Sequence, residues 1–542
     1  MGNSSKSKNS SGDIIVQGSI LAIAQIIVRL IGLFYRIPLQ RIAGDVAMGY
    51  YGYAYDIYML LLLVSSNGVP LAVSKLVSKT HAKRDYTNEH RVMVSALLWT
   101  LIVGSVIGLG TFIFAKQITS AVFGPEMMGV VPALRVLAPT IFLCCVMSTF
   151  RGYFQGIGSM MPTAISQIFE QVFHAVVSVA AAAILVSQGP AWAAMGGTLG
   201  TCIGALASTI FLIIIYMLYR PQFMRRVHKD NRHQPESYKN IYKMLTLTMA
   251  PVVLSSVIYQ VSGIIDSSLY SNILAKLGYE AELISSLYGV YSSKYKMLVN
   301  VPMAMATALG LAVVPGISSA MMKGDKEEIH KKIETTVKFC MIIAIPACVG
   351  LSVLGGPIMQ LLFSDSSELT RHLITIGTPY LLFYSLSTVT IGALQGIDRM
   401  NTPIINSGIA LAIHTVFIVI LLRFCDMNIY AILYSNILFG FLMCIFNQVA
   451  LRHYIGYEQE TKKTFLIPAA ASAVMGVAAF VVYKGVYFVL HVNAIATLLA
   501  IFIAVLVYAV ALLKFHGLTE EELYSFPKGT TLIVYLKRFH LI

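Results

Sequence analysis

Predominantly apolar runs of about 20 residues follow one another from Ile14 to Lys514, interrupted by short polar turns. Each run is long enough to carry an α-helix across a hydrocarbon core. Barrel strands are about 10 residues long and alternate in polarity, which these runs do not. The pattern predicts an all-α polytopic membrane protein with about fourteen transmembrane helices, at 14–39, 54–78, 92–115, 130–150, 161–187, 192–219, 244–270, 286–320, 335–356, 371–395, 403–423, 428–450, 464–488 and 491–514. The eighth run is over-long and is expected to contain a broken or interfacial piece.

The chain also repeats itself at a fixed offset of 240 positions. Phe123 recurs as Phe363, Pro139 as Pro379, Gln155-Gly156-Ile157 as Gln395-Gly396-Ile397, and His174 as His414. Leu71-Ala72-Val73 recurs as Leu311-Ala312-Val313, Asp85 as Asp325, and His90 as His330. A period this long is not that of a solenoid and marks two duplicated six-helix lobes, followed by two C-terminal helices. An even number of spans per repeat keeps both lobes in the same orientation, and a substrate path between them is expected of a transporter. The predicted organisation is a disordered cytoplasmic segment 1–13, an N-lobe 14–219, a basic cytoplasmic linker 220–243, and a C-lobe 244–450. The last helix pair, 451–514, and a cytoplasmic tail, 515–542, complete it.

Composition sharpens this picture. Of 542 residues, 57% are apolar and only 12% charged, about half the charged share of a soluble domain. The net charge of +14 would suit nucleic acid, but with the N-terminus inside, most Lys and Arg fall in cytoplasmic segments, as the positive-inside bias requires. The densest group is Arg220, Arg225, Arg226, Lys229, Arg232, Lys239 and Lys243, a topology signal that also suits anionic headgroups. The seven cysteines lack metal-ligand spacing and read as packing residues. No cleavable signal precedes the first span, and Lys6 stands where a myristoylation motif needs Ser or Thr. There is no phosphate-binding Gly-rich loop ending in Lys-Ser/Thr and no His/Glu metal pattern. No outside loop is long enough for a catalytic domain. ATP-driven pumping and enzyme chemistry are therefore not expected, and no cofactor is.

Charged groups inside a bilayer are costly, so the exceptions mark candidate sites. Gln25, Arg29, Gly32 and Arg36 follow 4-3-4 spacing, which puts them on one face of the first helix. Arg29 and Arg36 lie about 10 Å apart along its axis at 1.5 Å per residue. Two guanidinium forks on an inward stripe suit phosphate; the bland alternative is snorkelling to an interface. The seventh span carries Asp266, which suits a coupling Na⁺ or proton, or else an ion pair. On the eighth, Lys294 and Lys296 are two apart and cannot face the same cavity; Lys296 is favoured as a further cationic contact, with snorkelling as its alternative. Pro302 and Pro315 there, and Gly68 and Pro70 in the second span, weaken the helix and offer hinges. In the fifth span Glu170 and His174 are four apart and suit either a polar relay or a structural hydrogen bond. The retention of His414 in the second lobe favours the structural role. Tyr50, Tyr51, Tyr53, Tyr55 and Tyr58 crowd an expected outside loop and read as an interfacial belt.

These residues carry a family resemblance. Arg29-Leu-Ile-Gly32-Leu-Phe-Tyr-Arg36, Arg41-Ile-Ala-Gly44 and Gly68-Val-Pro70-Leu-Ala-Val-Ser74 resemble the opening of the MurJ-type lipid II flippases, in particular their YtgP/SpoVB-like branch. These belong to the multidrug/oligosaccharidyl-lipid/polysaccharide flippase superfamily. The paired Gln-Gly-Ile turns and the stretches Pro251 to Asp266 and Tyr291 to Pro315 fit the same family. The arginine usual on its second span is absent here, where Leu60 to Leu63 stand. The resemblance implies alternating-access flipping of a lipid-linked saccharide, with Arg29, Arg36 and Lys296 on the pyrophosphate and Asp266 at a Na⁺ site. It also implies a groove for the polyprenyl tail in the last two spans. The expectation is a monomeric lipid II flippase of the bacterial plasma membrane, with both termini cytoplasmic, serving peptidoglycan synthesis. Cell-wall synthesis proteins are its expected partners. Its rivals are a flippase for another polysaccharide precursor, a multidrug or cation antiporter of the superfamily, a polysaccharide-synthesising membrane enzyme, and a scaffold.

Overall fold

The computed structural model describes residues 4–230, 233–518 and Glu522; side chains at 4–18, 22, 251–252, 254–256 and 258–259 lie outside the described set. Arg232 and most of the tail 515–542 lie outside it as well. The described chain is 89% helical and without strands, the outcome that run length and polarity imply. Two compact units divide it, Met1–Ser293 and Lys294–Ile542. The division falls inside the over-long eighth run, not in the basic linker.

The first unit contains α1 (Ser4–Ser66), α2 (Val69–Ala82), α3 (Tyr86–Ile113), α4 (Ala115–Phe123), α5 (Val131–Gly156), α6 (Met161–Leu185), α7 (Pro190–His228), α8 (Tyr238–Lys276) and α9 (Ala281–Gly289). The second contains α10 (Lys296–Lys323), α11 (Lys326–Phe363), α12 (Glu368–Gly396), α13 (Asn401–Phe424), α14 (Tyr430–Ile455), α15 (Ile467–Leu490) and α16 (Asn493–Lys514). A π-helical turn, Val290–Tyr295, joins α9 to α10. Among the described residues, twelve helices are long and apolar enough to cross a membrane, against the fourteen expected. The first, Ser19–Ala82, runs 64 residues where two spans were read, and α8 is not among the twelve.

Three local expectations are corrected. The helix starts at Ser4, inside the segment 1–13 expected to be disordered, although its Ser, Asn and Gly residues favour helix weakly. The outside loop near residue 44 is absent: Gly44 alone turns the chain, at φ 78° and ψ 171°, a conformation glycine adopts without the steric cost of a Cβ. The tyrosines that follow are therefore helical, and Tyr50, Tyr51, Tyr53 and Tyr58 are buried instead of forming an exposed belt. Tyr51 stacks on Tyr55 at 5.2 Å and Tyr53 on Tyr288 at 4.2 Å.

The 240-residue repeat reappears as repeated packing. A Cβ at Gly156 would lie 2.7 Å from Val77 Cβ, and one at Gly396 would lie 2.7 Å from Ile317 Cβ, so α5 meets α2 and α12 meets α10 through the same bare backbone. Asp85 caps α3 by accepting from Asn88 N at 3.0 Å, and Asp325 caps α11 by accepting from Glu328 N at 2.9 Å; each satisfies a donor that a helix start leaves unpaired. In the first unit, α9 crosses α1 with Gly49 against the Ser285 carbonyl and Gly289 against the Asp45 carbonyl. That contact is self-complementary at the same offset. Hydrogen bonds from Ser271 and Asn272 of α8 to the Phe123 and Val122 carbonyls, both 2.8 Å, tie α8 to α4. These contacts account for α8 and α9 belonging to the first unit.

Candidate substrate-binding site

The polar face predicted for the first helix meets a second polar face on α6. Gln25 and Arg29 are exposed and Arg36 is half-buried. Between them Gly32 leaves room for Gln171, whose Nε2 would lie 3.4 Å from an added Cβ. One turn further, Tyr35 Oη lies 3.1 Å from His174 Nε2, and Thr201 Oγ1 of α7 lies at the same distance from that nitrogen. Tyr35, Tyr51 and Tyr55 are near enough to the Arg36 guanidinium to interact with it electrostatically. Gly32 and Tyr35 of α1 thus meet Gln171 and His174 of α6, and helical spacing puts Arg29 and Arg36 on the same side of α1 as Gly32. On α6 the opposite face, Phe169, Val172, Phe173 and Val176, is exposed and apolar, as a lipid-facing stripe should be.

Glu170 and His174 do not bond to each other. Glu170 Oε2 accepts from Arg151 Nη2 of α5 at 2.7 Å. The same guanidinium donates from Nε to Ser166 Oγ at 3.0 Å and from Nη2 to Ser208 Oγ at 3.2 Å. The relay that four-residue spacing suggests is therefore replaced by an ion pair on one side and a hydroxyl-bonded histidine on the other. His414, in the second unit, lies with Nδ1 2.8 Å from the Ser435 carbonyl, so the ring donates there. Arg151 escaped sequence reasoning because it stands one residue beyond the expected end of the fourth span. The available signal was its asymmetry: 240 positions on stands Ile391, and opposite Glu170 stands Ala410.

On the eighth run the two lysines part company. Lys294 is buried and its Nζ donates to Asp365 Oδ2 at 2.6 Å, whereas Lys296 is half-buried. Asp365 lies in the turn between α11 and α12 and also accepts from Thr370 Oγ1 at 2.7 Å and Ser367 N at 2.9 Å. Burial opposes its ionisation, but the hydrogen bonds from Lys294, Thr370 and Ser367 outweigh that and hold its carboxyl well below the usual range.

Asp266 is buried within α8. Asn406 bonds to Asn447, Nδ2 to Oδ1, at 2.9 Å. The one His/carboxylate cluster with metal-compatible spacing among the described residues is Asp85, Asp230 and His233. There Asp85 caps α3, Asp230 Oδ2 accepts from Thr87 N at 3.1 Å, and Asp230 Oδ1 lies 2.8 Å from His233 Nδ1, so the cluster serves the fold. Of the proposed hinges, Gly68 sits at a real break between α1 and α2, with Pro70 in the first turn of α2 and Met249 of α8 packed tightly against Gly68. Pro302 and Pro315 lie inside an unbroken α10. The irregularity on that run is the π turn before them, a feature that composition does not announce.

A duplicated bundle of long apolar helices is an architecture that membrane transporters use, and comparison with known proteins agrees. The chain belongs to the polysaccharide biosynthesis protein family, whose pattern matches residues 15–321, and the MatE pattern matches residues 295–420. It is 26% identical to the lipid II flippase MurJ of Bacillus subtilis over 483 residues, 85% of this chain and 87% of that protein. To Stage V sporulation protein B of the same organism it is 25% identical over 405 residues, 74% of this chain and 76% of that one. Among solved structures, a lipid II flippase MurJ in an inward closed conformation matches with a TM-score of 0.65 at 16% identity, covering 91% of this chain and 97% of that one. The chain is a multi-pass transporter of the flippase superfamily, not an enzyme.

Proposed function

We propose that this protein moves an undecaprenyl-pyrophosphate-linked saccharide, lipid II in the first instance, from the inner to the outer leaflet of the bacterial plasma membrane. The observation that carries the proposal is the cationic face of α1. Arg29 and Arg36 stand on the same side of α1 as Gly32, which meets Gln171 of α6, in a chain homologous over most of its length to a lipid II flippase. Guanidinium forks bind phosphate oxygens bidentately, and Lys296 adds a cation of the same sign. The apolar groove lined by Val474, Leu506, Val507 and Val510 of α15 and α16 suits a polyprenyl tail. In this reading Asp266 binds the coupling ion, Gly68 and Pro70 provide flexure, and both termini face the cytoplasm.

The test is complementation of a strain depleted of its lipid II flippase, with translocation followed in cells. The Arg29→Ala/Arg36→Ala protein should reach the membrane at wild-type level and fail to translocate; undiminished translocation refutes the assignment. A second reading, another polyprenyl-linked saccharide used in spore formation, is favoured by the likeness to Stage V sporulation protein B. Rescue of a sporulation defect without rescue of growth would select it.

A further inference from the structure

We propose that Arg151 is a third diphosphate contact, and that Glu170 is an internal carboxylate which occupies it until a substrate diphosphate displaces it. This rests on the flippase reading above. The guanidinium is held by one carboxylate oxygen at 2.7 Å and by the Ser166 and Ser208 hydroxyls. A phosphate oxygen can take over that carboxylate's role, because both accept from the same fork. The pair is not sealed: the side chains of Arg151 and Glu170 are 14% and 29% exposed. Glu170 lies on α6 beside the exposed apolar stripe of Phe169 and Phe173, three residues before Phe173, and Arg151 reaches it from α5. Glu170 precedes His174 by one turn, about 6 Å along the helix, and His174 contacts Tyr35, the neighbour of Arg36. Arg36 and Arg151 thus flank successive turns of α6, Arg36 beside the Tyr35–His174 contact and Arg151 on Glu170.

The duplication supplies the argument that the pair is not there for the fold. At the equivalent positions the second unit has Ile391 and Ala410, and it packs α12 against α10 through the same glycine contact as the first unit packs α5 against α2. An apolar pair thus satisfies this architecture. A buried ion pair is seldom more stable than a well-packed apolar replacement, so its presence in one half alone points to ligand chemistry.

The experiment uses the full chain in lipid nanodiscs, with undecaprenyl pyrophosphate in the bilayer and, separately, inorganic pyrophosphate in solution as probes. Glu170→Gln keeps the shape but removes the competing charge, and should tighten undecaprenyl pyrophosphate binding on the order of tenfold. Arg151→Ile/Glu170→Ala copies the second half, should unfold at the wild-type temperature, and should weaken that binding by a similar factor. Unchanged affinity in this folded double variant, with Arg29→Ala/Arg36→Ala still losing binding, overturns the inference and leaves the flippase reading standing. Loss of soluble pyrophosphate binding alone, with the lipid probe unaffected, also overturns it. A wild-type protein that binds neither probe removes both.

Discussion

The pair Lys294–Asp365 allows a stability prediction with its sign worked out. Lys294 is 5% and Asp365 14% exposed at the side chain, with 2.6 Å between Nζ and Oδ2. Replacing Asp365 with Asn leaves a buried ammonium facing a neutral amide, for which breaking a buried pair costs about 3–5 kcal/mol. At ~2 °C per kcal/mol for a unit of this size, that lowers Tm by about 6–10 °C. Lys294→Met should cost less, because Asp365 keeps its hydrogen bonds from Ser367 and Thr370. The double variant should recover part of the loss, a coupling that a double-mutant cycle reads directly. The carboxyl is depressed in the folded state, so its contribution is fully present above the ordinary aspartate value of about 3.9. It is lost only as pH falls through the lower folded value. Differential scanning fluorimetry in detergent from pH 7 to pH 3 should show the wild-type advantage over Asp365→Asn constant above about pH 5 and shrinking under acid. Additive single losses, or an advantage that disappears between pH 5 and 7, refute the assignment of this pair.

Three further outcomes follow from the same geometry. Lys338 is buried in α11 with both Glu522 oxygens 2.7 Å from its Nζ, so Glu522→Ala should destabilise by about 3–5 kcal/mol, and adding Lys338→Met should restore most of it in the same thermal assay. Gly289→Val drives a branched side chain into the Asp45 carbonyl and should cost about 1–3 kcal/mol or more, read as lowered Tm and reduced membrane yield. His414→Phe removes the donor to the Ser435 carbonyl in a fully buried position, with an expected loss of about 1–3 kcal/mol and no direct effect on probe binding.

Much of this was legible because run length and a fixed repeat survive without any knowledge of contacts. Apolar runs gave the helices, the 240-residue offset marked the repeated Gln-Gly-Ile segments whose glycines turn out to pack alike, and 3.6-residue periodicity put Gln25, Arg29, Gly32 and Arg36 on one face. What stayed hidden depends on partners distant in sequence. The tyrosines after Gly44 read as a belt until Tyr288, more than two hundred positions away, stacks on Tyr53. Lys294 is neutralised by a residue 71 positions on. Glu170 looked coupled to His174 at helical spacing, but Arg151 on the adjoining helix provides the stronger, charge-assisted partner. Spacing proposes neighbours along one helix and says nothing about competition from the next.

The repeat also separates what a residue does for the fold from what it does for transport. Where both halves keep a feature, as with the capping aspartates Asp85 and Asp325 or the buried histidines His174 and His414, architecture is a sufficient cause. Where one half alone carries a charge, the other half demonstrates that the helices pack without it. Arg29 is matched by Leu269, Arg151 by Ile391 and Glu170 by Ala410. A charge within a bilayer is kept against a free-energy cost, and the apolar counterparts show that cost is not imposed by packing. We read these three charges as serving the ligand. Asymmetry alone does not assign a charge, since the Lys294–Asp365 pair is also confined to one half (Ala54 and Pro125 stand opposite) and ties the turn before α10 to the turn before α12, while Arg36 is matched by Lys276. Grafting Leu269, Ile391 and Ala410 back as Arg29→Leu, Arg151→Ile and Glu170→Ala, which removes both members of the ion pair, should leave unfolding temperature at or above wild type while diphosphate binding falls. A variant that instead unfolds, with its affinity intact where it remains folded, would return these cations to the scaffold.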